Sequence, residues 1–244
     1  MRHATTIALA ATAGLLMSTI AFAQSKDFDL AGFDRVDIAT GLDARVTQGD
    51  HFSVNAQSRS QDALDNLTLT VEDGVLRARL EQSFLDFIIS GGLVGRLLNS
   101  GNAVTIDITL PSLAGVNASS GADVQLTGIT AGNLDLDASS GADISVTDAV
   151  LGAVTIASSS GADIELSGTA DKVEADASSG AGIDAENLIA KTVTAAASSG
   201  ANLSVHATAS LRAEASSGGD IDVSGNPASR DVDSSSGGDV NFDD

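Results

Sequence analysis

The sequence of 244 residues contains no cysteine, tryptophan or tyrosine, and it has only two prolines. Without cysteine, neither a disulfide framework nor a cysteine-linked lipid anchor is expected. Without tryptophan and tyrosine, the aromatic platforms that usually stack on neutral sugars are missing. The hydrophobic fraction is nevertheless 43%, and these residues recur in register, which argues against a disordered acidic chain.

Basic residues are also scarce, with 12 lysines and arginines against 33 aspartates and glutamates. Nucleic acids and anionic membranes require a basic surface, so neither is expected as a partner. Four basic residues follow Pro111, namely Lys172, Lys191, Arg212 and Arg230. This set is too small to bind a polyanionic sugar.

The longest hydrophobic run, from Ile7 to Ile20, follows a basic start and precedes Ala21-Phe22-Ala23. Such a run with small residues at its end predicts a signal peptide over residues 1–23. The run is too short for a transmembrane helix. We therefore expect a mature chain from Gln24, exported to the periplasm, the cell surface or the exterior. It would keep 33 acidic and 11 basic residues, a net charge of −22.

A Ser-Ser-Gly triplet recurs every 18 to 20 residues. Its glycines are Gly121, Gly141, Gly161, Gly180, Gly200, Gly218 and Gly237. Apolar residues alternate after each triplet, as at Val124 and Leu126, and again before the next one, as at Leu134 and Leu136. Alternation of period two indicates half-buried strands. Each repeat is therefore predicted to form two short strands joined by two turns.

Stacked repeats of this kind predict an all-β fold, a single-domain parallel β-solenoid (β-helix) over residues 27–244, repetitive from 111 onward. Each glycine is expected at a corner that needs a positive φ. The core should narrow towards the C-terminus. Large residues at one position give way to alanine there, in the order Leu136, Ile156, Ala175, Ala195 and Ala213.

Residues 24–110 are predicted to form N-terminal coils and a cap. Strand patterns lie at 33–38, 44–47, 52–56, 67–71, 75–80 and 104–110. An apolar insertion interrupts them at 84–101. Its large apolar residues are Phe84, Phe87, Ile88, Ile89, Leu93 and Leu97. The insertion either packs over the solenoid as a lid or forms an exposed patch for a partner or for self-association.

An aspartate recurs two residues after five of the glycines. These residues are Asp123, Asp143, Asp163, Asp220 and Asp239. In stacked coils neighbouring carboxylates would lie about 5 Å apart and repel by roughly 0.8 kcal/mol even in water. Each Asp either bonds the turn backbone and is solvated, or contributes to a row of weak Ca²⁺ sites. No metal ligand and no other cofactor is assigned from this pattern.

Residues suited to catalysis are isolated in the sequence. His51 and His206 have no nucleophile or metal-ligand spacing around them, and a serine in every turn is a ladder rather than a nucleophile. No catalytic residue is therefore assigned and the chain is not expected to be an enzyme. A polysaccharide lyase or hydrolase is the alternative that this pattern favours least.

Several segments together resemble a known family. They are Phe33–Ile38, Val46–Asp50, Leu67–Leu76 and the serial Ser-Ser-Gly-Ala-Asp turns. These segments resemble the head GIN domain family of exported bacterial adhesins (DUF2807). The resemblance implies a parallel β-solenoid of the pectin-lyase-like kind, a role in adhesion, and no known catalytic residues.

The sequence thus favours a non-catalytic interaction protein of the cell envelope or surface, with an unidentified protein or surface ligand as partner. A periplasmic structural or calcium-binding solenoid is the main alternative, and a polysaccharide-active enzyme is the second. The pattern does not indicate an oligomeric state.

Overall fold

The computed structural model describes residues 24–81 and 104–243. The predicted signal peptide and the apolar insertion, including all six residues of its predicted interaction patch, lie outside the described residues.

The N-terminal part contains six of the predicted strands, one further strand and a short helix. They are β1 (Gln24–Phe28), β2 (Arg35–Ile38), β3 (Asp43–Gln48), β4 (Ser53–Ser58), α1 (Gln61–Asp65), β5 (Leu67–Glu72), β6 (Val75–Leu80) and β7 (Thr105–Leu110). The helix begins where the Ser60 hydroxyl accepts a hydrogen bond from the Ala63 N–H at 3.3 Å. This is the usual N-cap interaction. Asp73 and Gly74 connect β5 and β6, both at positive φ, as a tight hairpin requires.

The repetitive part continues with ten strands among the described residues. They are β8 (Gly115–Ser119), β9 (Asp123–Thr127), β10 (Thr130–Ser139), β11 (Asp143–Ser159), β12 (Asp163–Ser178), β13 (Gly182–Ser198), β14 (Asn202–Ser216), β15 (Asp220–Ser224), β16 (Ser229–Ser234) and β17 (Asp239–Phe242). Their coils stack in parallel, and the chain is nearly all β. The predicted β-solenoid is therefore confirmed.

The solenoid has two broad faces. The front face stacks β7, β3, β9, the first parts of β11 to β14, β15 and β17 in that order. The back face stacks β6, β2, β8, β10, the second parts of β11 to β14, and β16. Inward residues of both faces form one hydrophobic core that runs through the whole stack.

The coil formed by β2 and β3 is out of sequence order. β2 lies between β6 and β8, and β3 lies between β7 and β9. This displaced coil, residues 35–48, therefore has both neighbours later in the chain. Antiparallel strands cover the N-terminal end, because β4 pairs with β7, β1 pairs with β4, and β5 pairs with β6. Antiparallel covering of this kind protects an otherwise open sheet edge.

The sequence predicts two turns per repeat, and the structure differs at the second. In β11 to β14 the chain passes from the front face to the back face as one strand of 15 to 17 residues. The bend is a bulge, where the register shifts between neighbouring strands. Asp148 and Gly168 take positive φ there. A bulge bends a strand without ending its hydrogen-bonded ladder, so no separate turn is needed.

The corner at each Ser-Ser-Gly triplet has one repeated geometry. In the first, Ser120 and Gly121 take φ of 56° and 71°, and the Ala122 N–H donates to the Ser119 carbonyl at 3.3 Å. The same bond closes all seven corners. Both central residues are thus left-handed, as in type I′ turns. The predicted role of the glycine is confirmed, while the left-handed serine before it was not predicted.

Candidate functional site

The front face carries polar side chains in columns, because every second residue of a strand points outward and the strands stack in register. Opposite pairs include Asp123 with Asp143, and Gln125 with Ser145. The next rung adds Asp163 opposite Asp143. The face is therefore a regular array with one polar column beside another.

A groove of about 660 Å³ crosses this face over β9 and β11 to β14. Most of its lining is polar, with acidic, amide and hydroxyl groups from five adjacent strands. Its polar residues are Asp123, Gln125, Thr127, Asp143, Ser145, Thr147, Asp163, Glu165, Asp184, Asn202 and Ser204. We call this feature the front groove. At Gly182 the column lacks a side chain, and the Asp163 carboxylate lies in the space that one would fill.

The recurring aspartates occupy one column, but the structure groups them differently from the sequence. Asp43 of the displaced coil lies opposite Asp123, which lies opposite Asp143 and then Asp163. We call these four residues the carboxylate row. Asp43 precedes no recognisable repeat in the sequence and was missed. The predicted candidates Asp220 and Asp239 pair with each other further along, beyond Gly182 and Asn202.

Two members of the row have a raised pKa. Burial raises the pKa of Asp43, and the Asp123 carboxylate raises it further, against a smaller opposing effect of Arg45. Burial also raises the pKa of Asp143, and repulsion from Asp163 and Asp123 adds to it. Both effects disfavour the charged form of a carboxyl group. Asp43 and Asp143 therefore hold their protons more tightly than isolated carboxyl groups would.

The predicted aspartates do not accept hydrogen bonds from the backbone of the corners. Each corner is closed by backbone bonds such as that from Ala142 to Ser139, and no turn N–H donates to the five predicted aspartates in the part of the chain that the structure describes. Over the same residues, no group of three or more His, Cys, Asp or Glu side chains has an arrangement that could hold a metal ion. The row is a line of single carboxylates rather than a convergent cluster.

The displaced coil contains a corner that the sequence did not reveal. Thr40 and Gly41 take φ of 64° and 66°, and the Gly41 N–H donates to the Ser120 carbonyl at 3.1 Å. The Thr40 hydroxyl accepts a bond from the Leu80 N–H at 3.0 Å. Ala39-Thr40-Gly41-Leu42 thus occupies the place of a Ser-Ser-Gly-Ala corner. A threonine at positive φ is unusual, which is why no pattern indicated it.

The two histidines that lie in the described residues have different surroundings. His51 is exposed, and its Nδ1 lies 2.6 Å from the Asp50 carboxylate. His206 is not isolated as the sequence suggested, because its Nδ1 lies 3.0 Å from the Ser224 hydroxyl on the next rung. That hydroxyl also donates to the Val205 carbonyl at 3.2 Å. No carboxylate in the described part of the chain bonds the His206 ring, so a Ser–His–acid arrangement is not formed there.

The back face is charged differently, because its arginines reach acidic partners. Arg79 bonds Asp37 at 2.7 Å, and Arg35 bonds Asp135 at 2.8 Å. Arg35 reaches Asp135 by passing over Gly115, where a Cβ atom would lie 2.7 Å from its Nη1. The missing side chain at Gly115 therefore lets one arginine connect β2 to β10 across an intervening strand. A smaller groove of about 380 Å³ follows this side.

Comparison with known protein families identifies the family of this chain. Residues 32–227 match the family described as "putative auto-transporter adhesin, head GIN domain". The chain belongs to this family. The resemblance that the sequence suggested is therefore confirmed. No curated protein matches the chain.

Solved structures share the fold at low sequence identity. A putative adhesin from Bacteroides fragilis superposes with a TM-score of 0.77 at 19% identity, covering 91% of this chain and 97% of its own. A putative adhesin from Parabacteroides merdae gives 0.66 at 15% identity, with 91% and 96% covered. A structure named a putative lipid binding protein, from Parabacteroides distasonis, gives 0.62 at 17% identity, with 91% and 97% covered.

In the described residues, no helix has the length and apolar character needed to span a bilayer. The family description as an adhesin is consistent with a protein that interacts at a surface.

Proposed function

We propose that this chain is a non-catalytic interaction protein of the bacterial envelope or cell surface, and that its ligand binds along the front groove. Export would follow from the N-terminal segment that has the features of a signal peptide. The observation that carries the proposal is the front groove itself, since it spans five stacked strands and each of them contributes polar residues to its lining. Membership of the head GIN domain family supports the same role.

The shape of the groove suits an extended ligand. It is an open trough on a stacked sheet, and successive coils place an outward residue at the same position about every 4.8 Å. Hydroxyl and amide groups such as Ser145, Asn202 and Ser204 can donate and accept hydrogen bonds along its length. A polymer that runs along the stack would meet polar groups at regular intervals, although the group changes between coils, as from Gln125 to Ser145. Because tryptophan and tyrosine are absent, polar recognition of this kind favours an extended protein segment, with a surface polysaccharide as the second candidate.

A non-catalytic role is supported by how the reactive side chains are arranged. Ser224 lies at the far end of the stack, away from the groove lining, and its hydroxyl donates to a main-chain carbonyl. Within the groove, the acidic residues stand in two columns on successive rungs, without a basic residue among them. General acid–base chemistry on a sugar needs two carboxyl groups that flank one bond. The carboxyl groups here all project from one face of the sheet, so they would approach a bound sugar from the same side.

The test is binding of the exported, purified protein to immobilised bacterial and animal cell-surface polysaccharides and glycoproteins. Ser145→Arg with Ser204→Arg would fill the groove with two long side chains. Thr155→Arg with Thr192→Arg places the same charge on exposed back-face positions of the same solenoid. We expect the front variant to lose at least about tenfold in affinity for any surface that binds, roughly 1.4 kcal/mol, and the back variant to keep it.

Equal loss in both variants would contradict a front-groove site. The calcium-binding alternative would require Ca²⁺ to bind along the carboxylate row, and the same assay tests it. Binding or thermal stability that requires millimolar Ca²⁺ and disappears in EDTA would favour that alternative, since a ligand of the folded state stabilises it by mass action.

A further inference from the structure

The carboxylate row crosses a junction between two parts of the solenoid. Asp43 belongs to the displaced coil, and Asp123 belongs to the first repetitive coil. The two strands that carry them, β3 and β9, are neighbours in space although the residues are far apart in sequence. Adjacent strands lie about 4.8 Å apart, so the like charges meet directly at this junction. On the repetitive side the row continues through Asp143 and Asp163.

The groups around the row do little to neutralise it. Arg45, on the same strand as Asp43, donates to Asp107 of β7 at 3.1 Å, on the side away from β9. The charged groups that face the row from β3, β7, β12 and β13 are Arg45, Asp107, Glu165 and Asp184. Strands β9 and β11 add only neutral Gln125 and Ser145 beside it. Three of the four charged neighbours are themselves acidic.

The opposite side of the same junction has the reverse electrostatics. There the Arg35 guanidinium holds Asp135 at 2.8 Å and connects the displaced coil to β10. Opposite charges thus hold the displaced coil to the repeats on the back face, whereas like charges repel across β3 and β9 on the front face. A change in the charge of the row acts on the front side alone.

We propose that protonation of the carboxylate row strengthens the pairing of β3 with β9, and that ionisation of the row at neutral pH weakens this pairing. The displaced coil would then open most readily at its front edge. Three members of the row, Asp123, Asp143 and Asp163, also line the front groove, so the same proton uptake would lower the negative charge that the groove presents. The device needs no ligand, because the repelling groups belong to the stack itself.

The direction of the pH effect follows from the row. Burial and neighbouring carboxylates raise the pKa of Asp43 and Asp143 above that of carboxyl groups in an unfolded chain. The folded protein therefore binds these protons more tightly than the unfolded chain does. Their stabilising contribution is present in full below the unfolded pKa, and it is lost as the pH rises through the raised folded values.

The test is hydrogen exchange of the exported, purified protein at pH 3.5 and pH 7, with rates corrected for the pH dependence of chemical exchange. Protection of the β3 and β9 amides should be at least roughly threefold higher at pH 3.5 than at pH 7, because local opening there costs more free energy. Asp123→Asn should raise the protection at pH 7 to the acid level and remove most of the difference. Thermal melts should give the same ranking.

The matched control is Asp137→Asn. Asp137 is an exposed aspartate on the back face, with Asn117 and Ala157 on the neighbouring strands. This variant removes the same charge from the molecule without touching the row, so the pH difference at β3 should persist. The proposal is overturned if Asp123→Asn leaves that difference unchanged, or if Asp137→Asn removes it equally.

Discussion

The early and late coils of the repeat differ in the size of one inward column. On the back face Leu136 and Ile156 are followed in register by Ala175, Ala195 and Ala213. On the front face the facing inward column stays large throughout. Its members are Val124, Ile144, Ile164, Ile183, Leu203 and Ile221. The core therefore narrows chiefly along the one back-face column, and its alanines remain buried.

The corners do not change along with the core. The closing bond is 3.3 Å from Ala142 to Ser139 in a wide coil and 3.2 Å from Ala201 to Ser198 in a narrow one. Coil geometry is thus set by a main-chain turn, whereas the core volume varies freely between coils. Burial of apolar area still governs how much each coil contributes to stability. The narrow coils should therefore contribute less, although their backbone is the same.

The largest expected effect on stability is at the wide end of the core, where the back-face column has large residues. Leu136→Ala should lower the free energy of unfolding by about 2 to 5 kcal/mol, because removal of the fully packed side chain leaves a cavity.

The reverse exchange at the narrow end, where the same column has alanines, is Ala195→Leu. It should also lower the free energy of unfolding, by about 1 to 3 kcal/mol, because there is no space for the added carbons. Chemical denaturation measures both. Stabilisation by Ala195→Leu would show that the narrow coils contain unfilled space instead.

An intermediate effect is expected at a corner. Gly161→Ala should cost about 1 to 2 kcal/mol, since φ is 70° there and a Cβ is strained at positive φ. No atom lies within 4 Å of the added Cβ, so the loss of stability would come from local backbone strain and not from a clash with neighbouring residues. Gly132→Ala is the control, because it has equal space and no positive φ. A similar loss at both positions would argue against the corner explanation. Thermal melts suffice for the comparison.

The smallest effect concerns the side-chain clamp that joins the displaced coil to the repeats. Arg35→Gln should cost no more than about 1 kcal/mol at low salt, because both partners are half exposed, and less in 1 M NaCl. Gly115→Ala should weaken the same clamp by obstructing Arg35. The two changes together should then cost less than their sum. Additive losses in a double-mutant cycle would show that Gly115 does not act through the arginine.

The repeat architecture could be predicted because it is local. The period-two alternation and the spaced glycines are visible in the sequence, and six N-terminal strand patterns correspond to β2 through β7. The position of the displaced coil could not be predicted, since it depends on pairings such as Asp43 with Asp123. Periodicity describes which face a residue takes, but it contains no information on which distant strand lies beside it.

Parts of the candidate site were missed for the same reason. Asp43 completes the carboxylate row only when the displaced coil is placed, and Ser224 meets His206 only when consecutive coils are stacked. The left-handed serines had a sequence signal that could have been used. A Ser-Gly pair at every corner resembles the Asp-Gly pair at Asp73 and Gly74, which forms a tight hairpin with both residues at positive φ.

The displaced coil also has a consequence for assembly. A chain is synthesised from its N-terminus, and most solenoids can add coils in the order in which they emerge. Here β3 needs β7 on one side and β9 on the other, so it acquires its second neighbour only once residues up to Thr127 exist. The first coil made therefore cannot be completed until about half of the chain has been synthesised. Until β9 exists, the edge of β3 that faces the repeats stays unpaired, although coils further along need only the coil made directly before them.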